Sequence, residues 1–386
     1  MLTTFLTKRK QALMLVSLLT FLFIALSYPS GNDWIGYFIN YDCLINNNCR
    51  SEFIMFEPGY ELIVSLVGVF GYQAIIIFIA LMNILLIYRF AQLFENGAFV
   101  ITAIMCMFLW SVYIEAIRQA VAFSILLYSI LPLFRGEIKK YIVLIIIAST
   151  FHITVLICFL FVIPIYSVKI SKIISYSLLI FGGVFFAAAD KILSFAVNIL
   201  PLGTIASEKL QFYLNSEQYK PQLSIGSGTL LDVILICLIV VSLRNMKKNN
   251  HAQSHFFNHI LLLGICLYIS FALLIGKMMP VMTRIGWYGF PFVIICLYSK
   301  IGDSVFYKAY KSVSAPRISL NNFIVVMFFL LQIIRPFIYE HSNYNILHQE
   351  TIFQNLNLLD DYSLRSAAKE KCYILSKMGY GYLCTL

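Results

Sequence analysis

The chain of 386 residues is 60% hydrophobic and only 12% charged, against about 45–50% and about 25% in soluble domains. This composition excludes a soluble globular domain, and the 33 Phe and 24 Tyr residues exclude a disordered chain. A net charge of +10 would suggest nucleic acid in a soluble protein. In a membrane protein it reflects the Lys and Arg residues of short cytoplasmic loops, so no nucleic-acid partner is predicted.

The composition therefore predicts an all-α polytopic membrane protein. A spanning helix needs about 20 residues, so the length allows about 10–12 transmembrane or half-membrane helices. We expect a single membrane domain over residues 1–335 with a large external loop at about 190–228, and a C-terminal tail over 336–386. The apolar runs in chain order are 11–28, 59–88, 98–114, 119–134, 141–166, 173–189, 229–243, 256–276, 285–299 and 319–335.

The loop between the first two apolar runs is predicted to lie outside. Run 11–28 is interpreted as an uncleaved first span with its N-terminus inside, which makes residues 29–57 an external loop. Run 59–88 is too long for one span. Gly68 and Gly71 predict a break within it, which leaves the first part as a short helix at the outer face.

Run 141–166 is predicted to be a re-entrant hairpin of two half-membrane arms. This interpretation keeps the neighbouring Lys and Arg residues inside, as the positive-inside rule requires. Phe151 and His152 fall at the tip of the hairpin. Irregular backbone at this depth is tolerated only where it is buried in protein or lines a wet cavity.

Two cysteine pairs and two aspartates accompany the spans. Cys43 with Cys49, and Cys372 with Cys384, lie in segments predicted to be external, where disulfides persist. Spacing alone leaves both bonds open. The carboxylates of Asp190 and Asp232 stand at predicted span ends, and they are interpreted as helix caps.

Three cations stand at outer span ends. A charge at membrane depth costs at least about 2.5–3.5 kcal/mol, which makes Arg118, Arg284 and Lys277 candidates for function. Arg offers the planar, bidentate geometry that suits phosphate. The alternatives are interfacial anchoring and, for Arg118, an ion pair with Glu115 three positions earlier.

A histidine and two carboxylates are candidates for acid–base chemistry. An imidazole titrates near neutral pH, so His152 is a candidate base or phosphate donor; the alternative is a hydrogen-bonded core residue. Glu57 and Asp33 are the external carboxylates singled out. The alternatives are stabilisation of a helix N-terminus, with Pro58 near N1, and a solvated loop.

Motifs for phosphate loops and metals are absent from the sequence. There is no Gly-rich phosphate loop, CxxC, HExxH or Asp-x-Asp. His251, His255 and His259 share one face of a helix, but no Cys or carboxylate is near, and they are interpreted as interfacial residues. We therefore predict no metal and no cofactor.

Several short motifs follow one another in a distinctive order. They are residues 33–37 (Asp-Trp-Ile-Gly-Tyr), 56–60 (Phe-Glu-Pro-Gly-Tyr), 117–122 (Ile-Arg-Gln-Ala-Val-Ala) and 148–154 (Ala-Ser-Thr-Phe-His-Ile-Thr), and then Arg284 with Trp287 and Tyr288. In this order, over roughly residues 10–335, the chain resembles the EpsG-like branch of the Wzy-type O-antigen and exopolysaccharide polymerases.

The resemblance implies a membrane-embedded glycosyltransferase in the bacterial cytoplasmic membrane, with its active site outside. Such enzymes join polyprenyl-diphosphate-linked oligosaccharide units without nucleotide or metal. A chain-length regulator and a flippase are the further partners that it implies.

The resemblance also suggests roles for the candidate residues. It assigns binding of the diphosphate to Arg118, Arg284 and Lys277, because negative charge builds on this leaving group during the reaction. His152 is the first choice for the base, with Glu57 or Asp33 as the acceptor-sugar ligand or the alternative base. The residues assigned to the sugars, some of which are equally typical of an interfacial aromatic belt, are Trp34, Tyr60, Gln119, Trp287 and Tyr288.

Three other functions compete with the polymerase. A flippase or transporter of lipid-linked oligosaccharides would need charges spread through the membrane depth and paired broken helices, neither of which is evident. A membrane O-acyltransferase would show a His paired with Asp or Arg near the first spans, and the first span has none. A polysaccharide-to-lipid ligase is chemically related to the polymerase and stays open.

Overall fold

The computed structural model describes residues 9–27, 33–49, 56–199, 226–249, 256–298 and 320–338, together with 366, 369, 372 and 373. The helices are α1 (Arg9–Ala25), α2 (Trp34–Asn46), α3 (Pro58–Val67), α4 (Tyr72–Ala91), α5 (Gly97–Phe108), α6 (Ile117–Phe134), α7 (Ile138–Ser149), α8 (Ile163–Tyr166), α9 (Val168–Ile199), α10 (Ser227–Asn249), α11 (Phe257–Tyr268), α12 (Gly276–Met278), α13 (Thr283–Gly286), α14 (Phe290–Tyr298) and α15 (Leu320–Ile338). Tighter 3-10 turns occupy Gly68–Phe70, Ile153–Val162, Pro280–Met282 and Trp287–Gly289, and wider π-helical turns occupy Leu109–Glu115 and Ile269–Ile275.

These helices confirm the predicted fold class. Within the described ranges there is no strand, and seven helical stretches are long and apolar enough to cross a membrane. Four shorter apolar helices of 10–17 residues accompany them. The protein is an all-α, multi-pass membrane protein.

The chain divides into two compact units. The first contains residues 1–132, 139–156 and 326–386, and the second contains 133–138 and 157–325. The predicted single membrane domain over residues 1–335 stays a prediction.

Helix α2 lies within the predicted external loop 29–57. Trp34–Asn46 is a helix with most of its side chains buried, and the side of the membrane on which it lies stays a prediction. It ends where Asn47 takes the left-handed conformation with φ of 55°. The Asp42 carboxylate accepts hydrogen bonds from the side chains of Asn46 and Asn48, both at 2.9 Å. At 13 residues the helix is too short to span a bilayer, so it does not stand out as a span in the sequence.

A disulfide between Cys43 and Cys49 closes the end of α2, with the two Cα atoms 4.2 Å apart. The first of the two cysteine pairs, whose bonding the spacing left open, is thus joined. Cys372 is disulfide-bonded as well. Cys384, its expected partner, lies outside the described residues.

The predicted break in run 59–88 is confirmed. Helix α3 ends at Val67, and Gly71 has φ of 99°, a conformation that favours glycine, before α4 begins. Gly68 allows a close approach to α2, since a Cβ there would lie 2.9 Å from the Ile45 side chain. The start of α4 is joined to the end of α1 by Gln73, whose Nε2 donates to the carbonyl oxygen of Ala25 at 2.6 Å.

The predicted interruption of run 141–166 is also present. Helix α7 ends at Ser149, and a separate 3-10 turn begins at Ile153. His152 lies between the two, as expected for the tip of the run. The side of the membrane that this tip faces stays a prediction.

In the second unit, α9 is longer than predicted. The expected span 173–189 continues as a helix to Ile199, with a kink at Ala188 (φ −144°, ψ 35°). The external loop predicted from residue 190 therefore begins no earlier than 200, and residues 200–225 lie outside the described ranges. Asp190 and its neighbour Lys191 interrupt the apolar run but not the helix, so Asp190 does not cap the end of the span.

Asp232 does not cap the end of a span either. It lies within α10, one turn after the helix begins, and it is only 5% exposed. Its Oδ2 lies 2.6 Å from Nζ of Lys277. A buried carboxylate needs a charged partner, because an unpaired charge in apolar surroundings is costly.

Candidate functional site

Three of the motifs meet in the first unit, around the carboxylate of Glu57. Arg118 Nη1 forms an ion pair with Glu57 Oε2. His152 Nδ1 lies 3.1 Å from Glu57 Oε1. The partners are 61 and 95 residues from Glu57 in the chain. The side chains are 16–21% exposed, so the cluster is shielded but within reach of a ligand.

Glu57 reaches its partners because its backbone, and not its side chain, caps helix α3. It has extended dihedral angles (φ −65°, ψ 145°) with Pro58 in the first turn, as predicted. Its carbonyl oxygen accepts from the amides of Tyr60 and Glu61, at 3.0 and 3.2 Å. Its carboxylate makes no capping hydrogen bond. Glu61 Oε1 instead binds the amide of Phe56 at 2.9 Å, which leaves Glu57 available to Arg118 and His152.

His152 is placed by the end of α7. Its amide donates to the carbonyl oxygen of Ala148 at 3.1 Å. The next amide, of Ile153, points at Glu57 Oε1 from 3.4 Å. One carboxylate oxygen therefore faces both the imidazole and a backbone N–H.

Gly59 brings α3 and the end of α7 together. Its amide donates to the carbonyl oxygen of Thr150 at 2.7 Å. A Cβ at this position would collide with Thr150 Oγ1 and would lie 2.7 Å from the same carbonyl oxygen. Only glycine permits this approach, which sets Glu57 beside His152.

We expect Gly59→Ala to lower the free energy of unfolding in detergent by about 1–3 kcal/mol, as overpacked sites do. Gly183→Ala is the matched control, since a Cβ there meets nothing within 4 Å. Chemical denaturation of the two purified variants measures the difference. Equal stability of the two would mean that the backbone near Thr150 yields freely and that the contact does not hold the site.

Aromatic rings enclose Arg118. Its guanidinium carbon lies 4.0 Å from the centroid of the Phe56 ring and 5.7 Å from that of Tyr37, within the range of cation–π attraction. Tyr60 completes the group, with its centroid 5.5 Å from those of Tyr37 and Phe56. The rings hold the guanidinium plane in one orientation beside Glu57.

The charges of the cluster fix the proton arrangement. Burial alone would raise the pKa of Glu57, but the hydrogen bond from His152 and the positive charge of Arg118 lower it to about 2. Glu57 is therefore ionised at neutral pH, and an ionised carboxylate only accepts hydrogen bonds. His152 Nδ1 must then be the donor, which leaves Nε2 as the nitrogen that can take up a proton.

Comparison with known proteins agrees with the order of the motifs. A model of the EpsG family matches residues 11–351. The chain belongs to the EpsG family. No curated protein and no solved structure matches it. Membership indicates a glycosyltransferase-like enzyme with a polysaccharide polymerase-type function.

Other predicted residues of this EpsG family member also belong to the first unit. Asp33 precedes α2, and its carbonyl oxygen accepts from the amide of Tyr37 at 3.3 Å. Trp34 is 3% exposed and, with Tyr37, lines a small cavity with about 20 Å³ available to water, enough for a water molecule. Within the described part of the chain, Trp34 Nε1 has no hydrogen-bond partner. Gln119 is 1% exposed. The sugar-binding roles of Trp34 and Gln119 stay predictions.

The remaining predicted residues of the EpsG family member belong to the second unit. Arg284 is half-buried in α13, Trp287 is half-buried, and Tyr288 is fully buried. Lys277 is already paired with Asp232. Their roles in binding diphosphate and sugar stay predictions.

Sequence reasoning missed three features of this EpsG family member. It singled out Glu57 and Arg118 separately but not their ion pair, and it assigned no role to Phe56 beyond its motif. It also took Asp232 for a cap, although a carboxylate in an otherwise apolar span signals a buried partner. Among the described residues, no group of three His, Cys, Asp or Glu side chains is placed to hold a metal ion.

Proposed function

We propose that the chain polymerises polyprenyl-diphosphate-linked oligosaccharide repeat units at the outer face of the bacterial cytoplasmic membrane. The product is a surface polysaccharide: O-antigen, capsule or exopolysaccharide. The observation that carries this proposal is the Glu57–Arg118–His152 cluster, which joins an anion-binding cation to an oriented imidazole in a member of the EpsG family.

The chemistry assigned to the cluster is a glycosyl transfer between two lipid-linked chains. A hydroxyl oxygen of the acceptor sugar attacks the anomeric carbon of the growing chain. The bond from that carbon to the diphosphate oxygen breaks, and the leaving lipid diphosphate keeps the electron pair. His152 Nε2 accepts the hydroxyl proton, as a general base within hydrogen-bond reach does.

Arg118 is assigned to the negative charge that builds on the departing diphosphate. Its guanidinium carries several N–H donors in a planar fork, so an ion pair with Glu57 leaves other donors for phosphate oxygens. Arg118 Nε is buried and has no partner within the described ranges. A cation held in a partly dry site before the reaction stabilises a developing anion more strongly than one in water does.

Glu57 is a positioning residue in this proposal. Its pKa of about 2 makes it a weak base, and its carboxylate holds the imidazole in the Nδ1–H tautomer. The same carboxylate orients Arg118. Glu57 thus positions both the base and the anion-binding group. This role favours His152 over Glu57 as the base.

The Cys43–Cys49 disulfide supports an outward-facing site. Disulfides persist in oxidising compartments, and this one closes α2. The same helix carries Tyr37, which contacts Arg118. A site beside an oxidised loop fits repeat units that are joined outside the cytoplasm.

The test is a gel of surface polysaccharide from a strain that lacks this gene. We expect loss of the polymer ladder, with single repeat units still attached or accumulating on lipid, and rescue by the wild type but not by Arg118→Ala. Arg89→Ala, at an exposed arginine in the last turn of α4, is the matched control and should rescue. Immunoblots of membranes establish that each variant is present.

Two outcomes would contradict the polymerase proposal, and a third would contradict only the role of Arg118. A normal ladder in the deletion strain would reject a polymerase. Absence of repeat units from the outer face would indicate a flippase. A full ladder with Arg118→Ala would remove Arg118 from the diphosphate site.

A further inference from the structure

A small cavity in the first unit borders the Glu57 cluster. Trp34 and Tyr37, one turn apart on α2, line this cavity together with Ile117. The guanidinium of Arg118 forms a hydrogen bond with the Tyr37 side chain, and Ile117 precedes Arg118 in the chain. A ligand held by Arg118 would therefore lie beside this cavity.

The wall of the cavity is mostly apolar. Ser27 is the polar residue on its edge, and its groups are already engaged: Oγ donates to the carbonyl oxygen of Ile24 at 2.6 Å, and the Ser27 carbonyl oxygen accepts from Gln73 Nε2 at 3.4 Å. Isoleucine side chains from three helices and one π-helical turn form most of the remaining wall. They are Ile24, Ile76, Ile79, Ile114 and Ile117.

Two buried donors in this cavity lack an acceptor. Trp34 is 3% exposed, and its Nε1–H group has no hydrogen-bond partner among the described residues. Tyr113 also lines the cavity and is 1% exposed. Ser124 lies next to the Tyr113 hydroxyl, but neither oxygen makes a hydrogen bond of good geometry within the described ranges. Since a buried donor without an acceptor is costly, the cavity requires a ligand that accepts hydrogen bonds.

The size of the cavity limits what this ligand can be. About 20 Å³ is available to water, which is room for one or two groups of the size of a water molecule. A sugar ring does not fit, but a carbonyl oxygen and a methyl group do. The oxygen has two lone pairs, one for each donor, and the methyl group would contact the isoleucine wall. An acetyl group therefore matches both the donors and the apolar wall.

We propose that this cavity binds the acetyl group of a 2-acetamido sugar attached directly to the lipid diphosphate. The inference rests on the proposed function and deepens it, because it names the class of sugar that is transferred. C2 of that sugar is bonded to the anomeric carbon that carries the diphosphate, so its substituent lies closest to a diphosphate held by Arg118. Trp34 and Tyr113 are then specificity-determining residues that donate hydrogen bonds to the acetyl oxygen.

The test measures binding of farnesyl diphosphate-linked monosaccharides to the full chain reconstituted in lipid, by isothermal titration calorimetry. One compound carries an acetamido group at C2 and its counterpart carries a hydroxyl group. Both are made in the gluco and galacto series, so that the configuration at C4 does not decide the result. In the series that binds better, we expect the acetamido compound to bind about tenfold more tightly, through a hydrogen bond and a buried methyl group. Equal Kd values within both series would overturn the proposal.

Two variants that each remove one donor locate the effect. Trp34→Phe keeps an aromatic ring without the N–H group, and Tyr113→Phe loses only the hydroxyl. Each should reduce the preference for the acetamido compound, while unchanged binding of the hydroxyl compound shows that the variant is folded. Trp110→Phe, at a half-buried tryptophan that packs against Phe23, is the matched control and should keep the full preference. A full preference in both donor variants would contradict the assignment.

Two further measurements test the size of the cavity and the dependence on the proposed function. A compound with a butanoylamino group at C2 should bind more weakly than the acetamido compound, and equal binding would overturn the argument from size. Arg118→Ala should weaken binding of all the compounds. If it changes none of their Kd values, the proposed diphosphate site is wrong as well. If it weakens all of them but the wild type does not prefer the acetamido compound, only the acetyl site is wrong.

Discussion

Replacing His152 by Ala is expected to lower the rate of repeat-unit transfer by about 10²–10⁴-fold, the usual contribution of a general base. The reason is that the Nδ1–H group of His152 already donates its hydrogen bond to Glu57, at an N–O distance of 3.1 Å. Only Nε2 is left to accept the proton of the acceptor hydroxyl. The measurement is the initial rate of polymer formation by reconstituted protein from extracted lipid-linked units.

His152→Asn separates the two roles of the imidazole. Its amide can still donate to Glu57, but it cannot take up a proton, so the rate should stay as low as with Ala while the protein remains folded. His259→Ala, at a half-buried histidine in α11, is the control and should keep most of the rate. Rates for His152→Asn within about threefold of the wild type would be too fast for a lost general base, and His152 would then serve only as a structural donor.

The spans and their interruptions could be predicted because they depend on local properties of the chain. Length and hydropathy set the span-length helices, and Gly68 with Gly71 marked the break between α3 and α4. The tip near His152 was predicted because the Lys and Arg residues around the run set its direction. Each of these signals lies within a few residues of the feature that it predicts.

The contacts that build the site could not be predicted in the same way. Glu57 contacts Arg118 and His152, which lie 61 and 95 positions further along the chain, and no sequence period connects these residues. The motifs marked each residue as costly at membrane depth, but not that one carboxylate would pair with both others. Helix α2 escaped detection because it is short and holds Asp42 and Asn40 among its apolar residues, both of which are buried.

The same limit applies to Asp232. A carboxylate at the start of an apolar run is typical of a cap, and its partner Lys277 lies in another span. Only the ion pair between Asp232 and Lys277 in the folded chain shows that the charge is neutralised. Buried charges are thus the part of this fold that local patterns describe least well, and they are also where its function is proposed.

Glu57→Gln is the second substitution with a large expected effect, a rate loss of the order of 10²-fold through misplaced groups. The amide replaces one acceptor oxygen by a donor, which opposes either Arg118 or His152, and it removes the charge that Arg118 pairs with. Because Glu57 acts through these two residues, Glu57→Gln combined with His152→Ala should be little slower than His152→Ala alone. The measurement is the same initial rate. Losses that multiply would mean that Glu57 acts independently of His152.

The pH dependence of stability offers an independent reading of Glu57. Its pKa is lowered from 4.5 to about 2 in the folded protein, so its ionised form favours folding above the unfolded value. That contribution is lost as pH falls from about 4.5 towards about 2, and it is constant at neutral pH. The unfolding free energy of the wild type in detergent should therefore fall more steeply than that of Glu57→Gln across this acid range. Parallel curves would show that Arg118 and His152 do not lower the pKa of Glu57, and the cluster would then lack the charge arrangement on which the proposed base depends.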